Sequence, residues 1–329
     1  MRSHRLLAGV CVLAGLAACH RPPMDEHMAH MSAAAMSSPT VGAPSASAQE
    51  DMNLPASANN APARLKASNR HAEWVKIAWE PGSKDSLMAW VVYPSTNRTK
   101  SPVVVVVHEI FGLQTWVRGV ADQVAAAGFI AIAPDLLSRV RGGPTTHEMP
   151  GDSARAMIQG VNVADRNLGI TAAARYAMSV PSSDNKYAVI GYCWGGSTTW
   201  GYAINGGLPG FSGGVAFYGL PYLQPRVEGQ TGPVGPAVDS LRKINKPVML
   251  LSGSGDPRIT AGMPAVDSAM KALGKSYVGI NYQGAEHGFL RAQDDPKNPR
   301  NPAQEQANMA ATKDGWPRTV AFLKKQLGI

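Results

Sequence analysis

The sequence is poor in charged residues and in cysteine, and it lacks any long basic run. Only 16% of its 329 residues are charged while 44% are hydrophobic, which excludes disorder of the whole chain. The net charge is 31 − 23 = +8, but no run of five or six Lys or Arg residues occurs, so nucleic acid is not expected as a partner. The 34 glycines and 25 prolines follow no period, which excludes collagen-like and coiled-coil chains.

The first 18 residues have the pattern of an export signal. Arg2 and Arg5 precede an apolar run, Leu6 to Ala18, that is too short to remain as a membrane-spanning helix. The run ends in Leu-Ala-Ala followed by Cys19, which resembles the lipobox of bacterial lipoproteins, where the cysteine thiol is acylated. The alternative is an ordinary secretory signal with an unrelated cysteine. With lipid on Cys19 we expect a membrane-anchored protein of the bacterial cell envelope that faces the periplasm.

Residues 19–70 have the composition of a flexible tether. They are rich in Ala, Ser, Pro, Asn and Met and show almost no aliphatic periodicity. Two His-Met pairs, His27-Met28 and His30-Met31, could contact a soft metal ion. A low-complexity linker explains the same residues, and we assign no metal site.

The chain has three cysteines, and only one of them lies in the expected folded part. Cys11 is in the signal and Cys19 is the expected lipid site, so Cys193 has no cysteine to pair with after processing. A single thiol in an exported protein is exposed to oxidation. Cys193 is therefore either buried and inert, or its reactivity serves a function.

Residues 71–329 alternate strand and helix patterns, which predicts one α/β domain with a mostly parallel sheet. The valine run Val103 to Val107 is typical of a strand buried on both faces. Two earlier runs predict an antiparallel pair, and five later runs predict further strands. The predicted strands are Trp74 to Trp79, Leu87 to Tyr93, Val103 to Val107, Phe129 to Ala133, Tyr187 to Gly191, Val215 to Tyr218, Val248 to Ser252 and Tyr277 to Tyr282. The clearest helical patterns cover residues 117–124, 165–178 and 316–327.

The segment Gly191-Tyr-Cys-Trp-Gly195 has the spacing of a nucleophile elbow. Its glycines allow a sharp turn from strand to helix, and the central Cys193 would project its sulfur into the crevice at the strand ends. The dipole of the following helix would favour the thiolate form of Cys193. A buried cysteine in a tight turn is the alternative.

Two further strand ends supply an acid and a histidine in the chain order of an α/β-hydrolase triad. Asp256 follows one predicted strand and His287 follows another, both after Cys193. The other histidines of the predicted domain fit less well, because His108 precedes the nucleophile and His147 lies in a loop rich in Gly, Pro and Thr. We therefore predict Cys193, Asp256 and His287 as the catalytic residues.

These segments together resemble the dienelactone hydrolase family. The resemblance covers about residues 72–327 and rests on His108-Glu-Ile-Phe-Gly112, Pro134-Asp-Leu136, Gly191-Tyr-Cys-Trp-Gly-Gly196, Gly255-Asp256 and His287-Gly-Phe289. It implies an α/β-hydrolase fold and a Cys-Asp-His triad that acts on endocyclic enol lactones. The family's chemistry needs no metal and no organic cofactor.

The resemblance also implies roles for five other residues. Glu109 would bond the resting thiol and help convert it to thiolate when substrate binds. The backbone N–H groups of Ile110 and Trp194 would form the oxyanion hole. Arg139 and Arg291 match the family arginines that hold a substrate carboxylate, for which a bidentate guanidinium is suited.

The expected function is hydrolysis of a small carboxylic ester or lactone, which could carry a negative charge. The lipoprotein leader and a Pro/Gly-rich segment from Tyr222 to Ser240 depart from the family's cytoplasmic enzymes and could reshape the pocket. A general short-chain carboxylesterase or thioesterase is the alternative. From another class, a non-catalytic binding lipoprotein with a metal-capturing His/Met tether would also explain the leader.

Overall fold

The computed structural model describes residues 51–145, 150–224, 235–293 and 302–329, and strands alternate with helices through most of that part of the chain. In chain order the elements are α1 Ala61–Ala67, β1 Ala72–Ala78, β2 Ser86–Val92, β3 Ser101–Val107, α2 Thr115–Ala126, β4 Ile130–Asp135, α3 Ser138–Arg141, α4 Gly151–Gln159, α5 Val163–Ser179, β5 Ser183–Tyr192, α6 Trp194–Asn205, β6 Phe211–Phe217, α7 Val238–Arg242, β7 Val248–Gly253, α8 Pro257–Ala272, β8 Tyr277–Tyr282 and α9 Pro302–Leu327.

The strands of the described residues form one sheet in the order β1-β2-β4-β3-β5-β6-β7-β8. β2 is antiparallel to both β1 and β4, while every other neighbouring pair is parallel. The predicted antiparallel start and the α/β-hydrolase fold are therefore confirmed. All seven residues of β3 are buried, as the valine run predicts for a strand with helices on both faces of its sheet.

Helices cover the central strands, and their ends follow the sequence signals. α2 ends two residues before Gly128, which has a φ of +102°. α5 begins after Asn162, whose side chain accepts a hydrogen bond from the backbone N–H of Asp165 at 2.9 Å. α5 and α6 both pack on β5 and on each other, so the middle of the sheet is the apolar core.

Residues 51–70 are packed against the domain, which corrects the prediction that the tether extends to residue 70. Trp116 Nε1 donates to the carbonyl of Ala56 at 2.9 Å, and Ala61 at the start of α1 is fully buried. Arg70 pairs with Asp122 through two bonds of 2.9 and 2.6 Å. The low hydrophobicity of this segment concealed its packing, because much of it docks through hydrogen bonds rather than through an apolar stripe.

In the segment from Tyr222 to Ser240, the residues on either side of the undescribed part are hydrogen-bonded to each other. Gln224 donates its N–H to Gly235 at 2.9 Å, and Ala237 donates to Tyr222 at 2.9 Å, so the two chain ends run antiparallel. α7 then leads into β7.

Two sequence predictions fall on residues that the structure does not describe. The signal and Cys19 lie outside the described residues, and so does the His/Met part of the tether. Within the described ranges, no helix combines the length and the apolar composition needed to cross a membrane.

Candidate active site

The site forms at the carboxyl edge of the parallel strands, where β3, β5 and β7 end. Parallel strands bring these ends to one edge of the sheet, and α/β folds bind ligands there. Cys193 follows β5, Asp256 follows β7 and Glu109 follows β3. His287 lies beyond β8 in the loop before α9. Sequence-distant residues are therefore neighbours because of the strand order.

Cys193 occupies a strained turn between β5 and α6. Its φ of 56° and ψ of −116° lie in a region that residues with a Cβ rarely adopt. The turn is held by the Cys193 N–H, which donates to the Phe217 carbonyl at 3.0 Å, and by the Cys193 carbonyl, which accepts from the Ser197 N–H at 3.1 Å. Cys193 is 3% exposed and lies at the start of a 12-residue helix. This is the geometry that the elbow spacing predicts.

Glycines are needed around the turn because the backbone passes very close to itself. A Cβ on Gly191 would overlap the carbonyl of Gly195, and one on Gly195 would lie 2.5 Å from the carbonyl oxygens of Val107 and His108. The elbow is thus locked against the end of β3, which carries Glu109.

Asp256 and His287 form a short ion pair. His287 Nδ1 lies 2.5 Å from Asp256 Oδ2, and the carboxylate is almost fully buried. Burial alone would raise the pKa of Asp256, but the hydrogen bond and charge of His287, helped by Arg258, hold the pKa below its usual value. Asp256 also caps α8 through the N–H of Arg258, so the helix start fixes the carboxylate.

His287 faces Cys193 with its other nitrogen. Burial would lower the pKa of His287, yet the charge and hydrogen bonding of the Cys193 sulfur and of Asp256 raise it to about 10. Nε2 is buried and has no hydrogen-bond partner within the described residues. The three residues predicted as a triad are brought together.

Glu109 and Arg291 form a second ion pair at the same edge. Arg291 Nε lies 3.2 Å from Glu109 Oε2, and both side chains are largely buried. The guanidinium carbon of Arg291 stands 5.4 Å over the ring of Phe111. In the described part of the chain no hydrogen bond joins Glu109 to the Cys193 thiol, so the carboxylate is held by Arg291 in this state.

The backbone N–H groups of Ile110 and Trp194 are available as donors in the described part of the chain. Neither donates to another group among the described residues, although both residues are buried. Trp194 is the first residue of α6, where a backbone N–H has no partner within the helix. An oxyanion hole requires two backbone donors that have no other acceptor.

Arg139 lies apart from this cluster. Its guanidinium pairs with Asp85 at 2.7 Å and with Asp165 at 2.8 Å, and it stands over the ring of Trp79. Both carboxylates compete with any external one. The prediction that Arg139 holds substrate therefore has no support from its contacts.

The family comparison adds an independent observation. A model of the dienelactone hydrolase family matches residues 87–327. The chain belongs to this family.

Relatives of this dienelactone hydrolase family member carry consistent names. A Methylorubrum extorquens protein named "Putative carboxymethylenebutenolidase" is 30% identical to this chain over 68% of this chain and 72% of its own length. A Bradyrhizobium protein named "Probable 2-oxo-3-(5-oxofuran-2-ylidene)propanoate lactonase" is 27% identical over 78% of this chain and 94% of its own. The crystal structure of a Klebsiella pneumoniae "Putative Dienelactone Hydrolase" superposes with a TM-score of 0.58 at 25% identity, covering 78% of this chain and 99% of that one. This family member is a carboxylic ester hydrolase.

Sequence reasoning missed one residue of the site in this dienelactone hydrolase family member. Tyr218 follows β6 with a φ of 39°, and its ring centre is 5.0 Å from that of His287. Its hydroxyl is buried without a partner in the described residues. Burial and then the charge of Glu109 raise the pKa of Tyr218 well above its usual value. The sequence signal for Tyr218 is its position, since it directly follows a parallel strand that lies between the strands preceding Cys193 and Asp256.

Metal ligation has no candidate in the part of the chain that the structure describes. No group of three or more His, Cys, Asp or Glu side chains there could hold an ion. The His/Met pairs of the tether are among the undescribed residues.

Proposed function

We propose that this enzyme hydrolyses its ester or lactone through Cys193 as the nucleophile. The observation that carries the proposal is the line from Asp256 through His287 to the Cys193 sulfur, with the pKa of His287 raised to about 10 by that sulfur and by Asp256. A histidine with that pKa holds its proton at neutral pH and stabilises a neighbouring thiolate.

The reaction then proceeds by acyl transfer. The Cys193 thiolate attacks the carbonyl carbon, and the carbonyl electron pair moves to oxygen, where the N–H groups of Ile110 and Trp194 bind it. His287 donates its Nε2 proton to the leaving oxygen as the carbon–oxygen bond breaks, and a thioester remains. Water attacks the thioester carbonyl while His287 takes its proton, and the carbon–sulfur bond breaks, which releases the acid and restores the Cys193 thiolate beside protonated His287.

We further propose an anionic substrate that engages Arg291. A substrate carboxylate at Arg291 would compete with Glu109 for the guanidinium and would release the Glu109 carboxylate from this ion pair. The lactonase name of the Bradyrhizobium relative refers to a carboxylate-bearing lactone, which fits this substrate class. The relatives named carboxymethylenebutenolidase fit it as well.

A general short-chain esterase is the second candidate, and one observation favours it. Because Arg139 is taken by Asp85 and Asp165, the carboxylate clamp implied by the resemblance is reduced to one arginine. A weaker anion site would let neutral esters compete.

The test of the nucleophile is Cys193→Ala. We expect the variant to lose hydrolysis of a chromogenic ester to the level of buffer, since members of a triad act as a unit. Unfolding in urea and the far-ultraviolet circular dichroism spectrum serve as controls for folding. Iodoacetamide should inactivate the parent enzyme in proportion to alkylation. If Cys193→Ala retained most of the activity, another residue such as Ser197 or Ser254 would be the nucleophile, and the proposal would be overturned.

We also propose that lipid on Cys19 anchors the enzyme in the cell envelope. The support is the sequence alone, in the positive start, the apolar run and the Leu-Ala-Ala-Cys19 ending. Cys19→Ala should move the protein from the membrane fraction to the soluble fraction, and an unchanged distribution would contradict lipid anchoring at this residue.

A further inference from the structure

His108 is a buried histidine that the catalytic mechanism does not use. It is fully buried at the end of β3, directly before Glu109. Both ring nitrogens have partners. Nδ1 lies 2.6 Å from the carbonyl oxygen of Glu109, and Nε2 lies 3.1 Å from the backbone nitrogen of Leu136.

These two contacts determine the tautomer. A backbone N–H can only donate, so Nε2 accepts from Leu136 and carries no proton. A carbonyl oxygen can only accept, so Nδ1 carries the proton and donates it to Glu109. The ring is therefore neutral, and burial, which lowers the pKa of His108 against the opposing influence of Asp135, keeps it so.

The bond to Glu109 fixes the peptide that ends in the Ile110 N–H. The Glu109 carbonyl and the Ile110 N–H belong to one planar unit, so an anchor on the oxygen sets the direction of the N–H. The same carbonyl also accepts from the Gly112 N–H at 3.2 Å. The Ile110 N–H itself has no partner in the described residues and, because the peptide is trans, points away from the Glu109 carbonyl.

His108 also contacts the residue that supplies the second N–H. Its ring is stacked on the ring of Trp194, with 5.6 Å between centroids and 11° between planes. The carbonyl of His108 lies against Gly195, so the elbow and the end of β3 are in direct backbone contact. The guanidinium of Arg166 covers the Trp194 ring at 4.7 Å, which limits the movement of the stack.

We propose that His108 is a positioning residue that aims the Ile110 N–H and holds Trp194, so that both oxyanion donors converge before substrate arrives. The inference rests on the proposed function, in which these two N–H groups bind the oxyanion. Loss of a purely structural core residue would lower the stability of the fold, whereas loss of His108 should weaken binding of the oxyanion in the transition state.

Two substitutions separate the two ring nitrogens. The side-chain amide nitrogen of His108→Asn can occupy the Nδ1 position and donate to Glu109. The side-chain oxygen of His108→Gln can occupy the Nε2 position and accept from Leu136, but the bond to Glu109 is lost. Both variants lose the stacking on Trp194, so each is the other's control.

We expect kcat to fall about 10- to 100-fold in His108→Gln, which is less than the roughly 100- to 1,000-fold cost of removing an oxyanion donor. His108→Asn should retain at least ten times more of kcat than His108→Gln. KM and the rate of Cys193 alkylation by iodoacetamide should change little in either variant, because neither reports on the oxyanion. Equal loss of kcat in the two variants would overturn the proposal.

A trifluoromethyl ketone gives a readout that a purely structural role would not move. The Cys193 thiolate adds to its carbonyl carbon, and the carbonyl electron pair becomes an oxyanion in the proposed hole. Its inhibition constant should rise in His108→Gln by the same factor as kcat falls, while the affinity for the product acid stays constant. An unchanged inhibition constant would contradict the role of His108. Equal binding of the ketone to Cys193→Ala would instead contradict the proposed nucleophile.

Nuclear magnetic resonance of the unmodified enzyme tests the tautomer without any variant. With histidine labelled by ¹⁵N, His108 should show a protonated Nδ1 and an unprotonated Nε2 at neutral pH. An unprotonated Nδ1 with the proton on Nε2 would remove the bond to Glu109 and overturn the proposal even if neither variant folds.

Discussion

Two arginines of similar sequence context have different partners in the folded chain. Arg291 lies against Glu109 and Phe111 at the candidate site, whereas Arg139 is shared between Asp85 and Asp165 and is far more exposed. A buried ion pair with one carboxylate can be exchanged for a substrate carboxylate. An arginine already bound by two carboxylates gains little from a third. At the scale of the residue, the partners of a guanidinium therefore decide whether it can bind substrate.

Arg291→Ala should lower kcat/KM for carboxylate-bearing lactones by roughly 10- to 150-fold, because hydrogen bonds to charged groups contribute about 1.5–3 kcal/mol. Neutral short-chain esters should be much less affected. Arg139→Ala is the matched control and should leave the ratio of the two substrate classes unchanged, since it removes only exposed pairs worth about 0–1 kcal/mol of stability. Steady-state kinetics on both substrate classes check this. Equal losses on charged and neutral substrates in Arg291→Ala would make Arg291 structural.

At the scale of the element, the site depends on one strand-to-helix turn. β5 ends and α6 begins on either side of Cys193, whose left-handed backbone is held by bonds to Phe217 and Ser197. The helix folds back over the strand so closely that Gly191 lies against Gly195 and Thr199. The turn is thus a packed unit, in which the space for a single Cβ decides the direction of the thiol.

Gly191→Ala should destabilise the protein by at least about 1–3 kcal/mol, since overpacking of a filled interior costs this much. It should also lower kcat in the folded fraction. The overlap between the new Cβ and Gly195 can be relieved only by moving α6, and the Trp194 N–H moves with that helix. Gly143→Ala is the matched control, because a Cβ there has open space around it, and it should be near neutral. Urea unfolding and kinetics at low urea measure both effects. A neutral Gly191→Ala would mean that the turn adjusts freely.

At the scale of the molecule, the segment before β1 is hydrogen-bonded to the loop that carries Arg291 of the candidate site. The N–H of Ala58 donates to the carbonyl of Arg291 at 3.0 Å, and Gln293 Nε2 donates to the carbonyl of Pro55 at 2.8 Å. The loop that carries Arg291 is therefore supported by chain that precedes the first strand by more than a dozen residues. The same segment packs on α2 through Trp116 and Asp122.

A chain that begins at residue 71 should be less stable than one that begins at residue 51, by about 2–4 kcal/mol for a few hydrogen bonds and the buried apolar side chains. Its KM for anionic lactones should rise, because the Arg291 loop loses two supporting bonds. The activity on neutral esters is the internal control. Equal unfolding midpoints and equal KM values for the two chains would show that residues 51–70 contribute nothing to the site.

Elements with local signals, and catalytic residues that follow a known order along the chain, could be predicted from the amino-acid sequence alone. The valine run predicted a fully buried β3 because such a run suits only a strand covered on both faces. Glycine spacing around Cys193 predicted the elbow because only a sharp turn requires it. Chain order then selected Asp256 and His287, which the structure brings together at 2.5 Å. These features depend on local sequence or chain order, so they can be predicted without knowledge of long-range contacts.

Contacts between side chains from different strands could be read only from the assembled fold. The partners of Arg139, the place of Tyr218 beside His287, and the bond from His108 to the Glu109 carbonyl all join groups whose proximity the sequence pattern does not encode. The composition of residues 51–70 predicts a tether, because their docking uses backbone carbonyls and ion pairs, which leave no hydrophobic period. Local sequence largely determines the backbone conformation of a residue, whereas the partners of a polar group depend on how the whole sheet is assembled.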